Sequence, residues 1–190
     1  PRACGCEIYL FSRGSSSPLW IYESEGDIYS VSSSQNGRVI AAGAVQRGKV
    51  GQLHVFTADS GAPVWTYDTE AGIFSVATSA SGDYLVAGAG DGTVHLFRKD
   101  SGVPEWIYQA DRWITQVAIS ENGEFIVAGA GDLKVYLFAN HTSTPVWTFA
   151  TASEEELPDH GITVLQVAIS KDGRYVIAGN YVNRIYLLRA

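Results

Sequence analysis

The chain has 190 residues, 46 % hydrophobic and 17 % charged, with 20 glycines, a balance that supports a buried core and excludes a disordered chain. No run of about 18 apolar residues is present and the first residues carry no charged-then-apolar leader, so neither membrane insertion nor a retained signal peptide is expected. The net charge of −7 argues against duplex nucleic acid as a partner, because its phosphates require a basic face.

In chain order, residues 1–24 hold two short strands, Ile8 to Phe11 and the segment around Pro18-Leu-Trp20. Cys4 and Cys6 precede them. They are too close for an unstrained disulfide, and no second cysteine pair completes a metal site. Units of four strands follow at 27–67, 72–108 and 113–149, and three strands of a further unit fall in 162–190.

The unit at 72–108 is the clearest. Its strands are Ile73 to Ser79, Tyr84 to Ala89, Thr93 to Phe97 and Pro104 to Tyr108, called a, b, c and d by position. Each is too short for a helix and nearly continuously apolar, the pattern of a strand buried on both faces. The turns between them contain Ser-Ala-Ser-Gly, Gly-Asp-Gly and Asp-Ser-Gly, where glycine supplies positive φ and Asp or Ser bonds back to the backbone.

The other units repeat this pattern. Trp20, Trp65, Trp106 and Trp147 each close Pro-x-Trp-x-(Tyr/Phe) at spacings of 45, 41 and 41 residues. Gly43, Gly88, Gly129 and Gly179 each follow alanine near the end of strand b, and Phe11, Phe56, Phe97 and Phe138 each precede their tryptophan by nine. A period near 41 with four strands per unit predicts an all-β fold, a β-propeller of four-stranded antiparallel blades. With partial units at both ends, the ring is expected to be incomplete, part of a larger chain, or closed by another chain.

The run VATSASGDYLVAGAGDGTVHLF resembles a WD repeat, with Phe56, Phe97 and Phe138 standing where that family has tryptophan. Asp-Ser-Gly-x-Pro-x-Trp, at Asp59 to Trp65 and Asp100 to Trp106, is similar to the tryptophan-docking motif of quinoprotein propellers of the pyrroloquinoline-quinone type. These resemblances span essentially the whole chain. Both imply a propeller, and the WD resemblance implies a ring of about seven or eight blades, within the range of about four to eight for propellers in general. The second also implies a quinone dehydrogenase as one alternative function, although the adjacent cysteines of that family have no counterpart in Cys4-Gly-Cys6.

The copies differ at a few places. Gly43 to Leu53 spans ten residues where the other copies span six, which lengthens the b–c loop containing Arg47 and Lys49. Trp147 to Val164 spans seventeen where the others span eight, and that d–a loop carries Glu154, Glu155, Glu156 and Asp159. In an up-and-down blade the b–c and d–a loops share one face, and repeat proteins commonly bind on the face where loop length varies. Those loops hold twelve acids and five bases, a net −7, whereas the opposite loops are nearly neutral. Trp113, the only tryptophan off the repeat, is expected on the acidic face, either as an exposed contact residue or packed beneath its neighbouring loop.

No catalytic or metal-binding residue is assigned, and no cofactor is expected. His54 and His95 occupy a repeat position filled elsewhere by Tyr9, Tyr136 and Tyr186, while His141 and His160 fall in loops on opposite faces. Gly88-Ala-Gly-Asp-Gly92 leads into a strand and lacks the Gly-Lys-(Ser/Thr) of a phosphate loop. The expected function is a non-catalytic protein-interaction scaffold that uses the acidic face and open blade ends. Its partner is another protein or a second copy, giving a homo-oligomer. A self-associating structural component of a cell surface or filament is the alternative. Asn140-His-Thr142, a glycosylation triplet in an exposed turn, slightly favours an extracellular or cell-surface location.

Overall fold

The computed structural model describes residues 6–46, 48, 50–152, 164–181 and 183–190. These form seventeen strands and no helix, so no helix is long and apolar enough to cross a membrane. Cys6–Phe11 (β1) pairs with Pro18–Ser24 (β2). Three four-stranded antiparallel sheets follow. The first is Asp27–Ser33 (β3), Val39–Val45 (β4), Gly51–Thr57 (β5) and Trp65–Thr69 (β6); the second is Ile73–Thr78 (β7), Tyr84–Ala89 (β8), Thr93–Arg98 (β9) and Pro104–Gln109 (β10). The third is Ile114–Ile119 (β11), Phe125–Ala130 (β12), Lys134–Ala139 (β13) and Trp147–Ala150 (β14), and Val164–Ile169 (β15), Tyr175–Asn180 (β16) and Ile185–Arg189 (β17) make a last sheet of three. Strand order follows chain order in every sheet, as in the blades of a propeller.

The first strands of successive blades lie side by side: β3 packs on β7, β7 on β11 and β11 on β15. Each also covers the second strand of the blade before it, so the cores lie between blades. Val39, Leu53 and Val55 of one blade cluster with Ile73, Val76 and Leu85 of the next. Gly43, Gly88 and Gly129 permit this approach. A Cβ at any of the three would meet the β-branched side chain of Ile73, Ile114 or Val164 on the following blade closer than van der Waals contact allows.

Local chemistry fixes the turns. Ser34, Ser79, Ser120 and Ser170 each accept the amide of the residue five positions on at 2.9 to 3.1 Å, while Gly37, Gly82, Gly123 and Gly173 have φ between 68° and 79°. Glycine takes that conformation without a side-chain clash. These turns also join the blades, since the Gln35 amide donates to the Ala80 carbonyl, Ala80 to Glu121 and Glu121 to Lys171, each at 3.0 Å. Among the described residues, β1 pairs only with β2 and β17 only with β16.

Candidate functional site

Backbone hydrogen bonds interleave the b–c and d–a loops at one end of the blades. Gly90 donates to the Gly72 carbonyl at 2.9 Å, Ala110 to Gly92 at 2.9 Å, Gly131 to Trp113 at 2.9 Å and Thr151 to Leu133 at 2.8 Å. The a–b and c–d turns are linked in the same way at the opposite end, through Ala58 to Arg38, Lys99 to Asp83 and Asn140 to Glu124.

Glu23, Glu25, Asp27, Asp68, Glu70, Asp91 and Asp111 are exposed at the first end. With the partly covered Asp132 they make eight acids against Arg112, Lys134 and Arg184, a net −5 among the described residues. Some of this charge serves the fold. Asp91 accepts from the Thr93 amide at 3.0 Å and hydroxyl at 2.6 Å, Asp68 accepts from Gln52 at 2.7 Å, and Asp111 pairs with Lys134 at 2.8 Å. The lysine holds the Asp111 carboxyl below its ordinary range. Glu23, Glu25 and Glu70 are exposed, and a surface of one charge sign raises the local concentration of a cationic partner.

Trp113 is half-buried. Its indole lies over Gly131, where a Cβ would come within 2.6 Å of Cε2, and the Arg112 guanidinium sits 5.8 Å from the ring centre. Each first strand carries a one-residue bulge at the same point, and in the first three blades this re-aims the extra residue: Tyr29, Phe74 and Thr115. In the second blade Phe74 covers Gly90, the counterpart of Gly131. The third blade has only Thr115 at its bulge, and Trp113 fills the seat from two residues earlier. This arrangement gives Trp113 a packing role and leaves part of its surface at the acidic end. Arg47, Lys49, Glu154, Glu155, Glu156 and Asp159, the other predicted partner-binding residues, lie outside the described residues.

The repeat anchors connect the blades. Trp20 donates its indole N–H to the Ala58 carbonyl at 3.0 Å, Trp65 to Lys99 at 2.8 Å and Trp106 to Asn140 at 2.8 Å, each reaching the c–d turn of the next blade. Each ring also packs on that blade's phenylalanine, at 5.3 Å from Phe56, 5.4 Å from Phe97 and 5.3 Å from Phe138.

The buried histidines belong to the same aromatic columns. His95 lies 6.0 Å from Phe97 and edge-on to Tyr67 at 5.5 Å, its Nε2 2.7 Å from the Thr93 hydroxyl and its Nδ1 without a hydrogen-bond partner among the described residues. Burial pushes its pKa down from 6.5 to about 4, only partly offset by Asp91. His54 is lowered by burial too. Tyr136 takes this position in the third blade and donates to Asp132. Among the described residues, no three His, Cys, Asp or Glu side chains converge in a metal-binding arrangement.

A family model described as outer membrane protein assembly factor BamB, built on quinoprotein-type repeats, matches residues 49–190. No curated protein matches the chain.

Proposed function

The chain belongs to the outer membrane protein assembly factor BamB family, and from that premise we propose that it is a non-catalytic interaction scaffold whose acidic loop end receives a basic segment of another protein. The family's name describes a factor in the assembly of other proteins, a role exercised through contact. The observation that carries the reading is the set of seven exposed carboxylates at one end of rigid, cross-bonded blades. A field of this kind accelerates encounter with a cation and is screened by salt.

The test is titration of a Lys/Arg-rich peptide into the chain by calorimetry at about 0.05 M and about 0.5 M salt. Binding that weakens in high salt, and again in an Asp68→Asn, Glu70→Gln double variant, is the expected result. Equal binding by wild type and variant at low salt would remove the acidic end from the proposal.

A further inference from the structure

Blades built on one repeat need not fill their junctions equally, and the junction between the first two four-stranded sheets has room. A cavity of about 230 Å³ lies there, between Val39, Val55 and Thr57 on one side and Lys99 and Asp100 on the other. Both sheets that enclose it have all four strands.

The neighbouring junctions show what shape the cavity has. A Cβ at Gly82 would come within 2.8 Å of Val39, at Gly123 within 2.8 Å of Tyr84 and at Gly173 within 2.6 Å of Phe125. These three side chains therefore share one repeat position, beneath the Ser-x-x-Gly turn of the following blade. In the second and third blades a ring occupies it and packs against the junction core. In the first blade the residue is a valine. The residue across the strand pair changes as well, since Val39 lies opposite Thr57 and Tyr84 opposite Arg98. Arg98 sits 5.2 Å from the Tyr84 ring centre and donates to its hydroxyl at 3.1 Å. The second blade thus closes this position with a ring and a cation, and the first blade with neither.

The cavity is apolar inside and charged at its mouth. Val55 is buried, and Phe56 below it fully so. Arg38 is exposed and makes no ion pair among the described residues. Lys99 is held by Asp83 at 2.7 Å. The lining carries Arg38 and Lys99 against Asp100, a net +1. Its volume is below the about 300 Å³ at which pockets begin to enclose whole cofactors or drug-sized ligands, and it suits a single ring.

We propose that this cavity receives an aromatic side chain, tyrosine or phenylalanine, from a partner segment with a carboxylate beside the ring. The ring lies over Val39 and Thr57, as Tyr84 lies in its own blade, and brings a large apolar surface out of water. Arg38 meets the carboxylate through a charge-assisted hydrogen bond. The cavity is at the end of the a–b and c–d turns, opposite the acidic loops. A segment bound here is anionic where the one proposed above is basic, and neither proposal depends on the other.

The probe is a capped Gly-Asp-Tyr-Asp-Gly peptide, titrated into the full chain and followed through the methyl signals of Val39 and Val55 by NMR. The ring should shift both methyls, and alanine in place of the peptide's tyrosine should weaken binding about tenfold or more. Val39→Tyr copies the second blade and should abolish binding without lowering the melting temperature. Because an added ring can also overpack a junction, Arg38→Gln at its exposed position supplies a second check. It should melt as wild type and bind the peptide severalfold more weakly. The Asp68→Asn, Glu70→Gln double variant should bind this peptide as wild type does, which separates the cavity from the acidic end. No saturable shift of the Val39 and Val55 methyls, equal binding by the tyrosine and alanine peptides, or binding unaltered in both Val39→Tyr and Arg38→Gln overturns the proposal.

Discussion

Acid should unfold this protein in a pH window set by a buried histidine. His95 is 4 % exposed, its Nδ1 has no hydrogen-bond partner among the described residues, and burial lowers its pKa to about 4 from the 6.5 of the unfolded chain. Below pH 6.5 the unfolded chain therefore binds a proton that the folded chain refuses, and stability falls as pH falls through the interval from 6.5 to 4. At about 1.4 kcal/mol per pH unit the full interval corresponds to about 3 kcal/mol, of which about 2 kcal/mol is lost by pH 5. His54, lowered in the same direction, adds to the loss. Asp83, Asp111 and Asp172 have lowered pKa values, and their stabilisation is present above 3.8 and lost only below it, outside this window. Urea denaturation at pH 7 and pH 5 should show the difference, together with a fall in melting temperature of roughly 4 to 8 °C. His95→Tyr, which copies Tyr136 of the next blade, should remove the His95 share and leave the slope due to His54. A wild-type stability unchanged between pH 7 and 5, or a full slope retained in His95→Tyr, would refute the reasoning.

Gly88→Ala places a methyl group against Ile114 and Val117 and should cost about 1 to 3 kcal/mol by overpacking. Gly179→Ala, at the same repeat position with open space around it, should be neutral in the dilute single chain by the same thermal melt. Trp106→Phe discards a hydrogen bond to Asn140, whereas Trp147→Phe removes an N–H that has no acceptor among the described residues; the first should therefore be at least about 1 kcal/mol more destabilising in urea titrations. Phe97→Ala empties the centre of a blade junction and should cost about 3 to 5 kcal/mol, read as a lowered denaturation midpoint with unchanged slope.

The fold class was legible because its signals are local. Alternating turn chemistry and short apolar runs state strand lengths directly, and a period near 41 states that one unit is repeated. The serine and glycine of each Ser-x-x-Gly turn are legible for the same reason, since their hydrogen bonds and positive φ lie within a few residues. The site was less legible. Trp113 stood out as a break in the repeat, but its packing over Gly131 depends on Thr115 being too small to fill the seat that Phe74 fills in the preceding blade. No spacing rule pairs a residue before a strand with a bulge residue inside another.

Sequence alone therefore determined the repeating unit, its strands and turns, and the concentration of acid in one set of loops. Tertiary structure decided which copies of an equivalent residue are buried. Val31 and Val76, or Gly88 and Gly179, are indistinguishable within their own units, yet one of each pair is enclosed and the other open. The physical reason is that a blade buries its faces against its neighbours, so the environment of each position is supplied by a segment about 40 residues away.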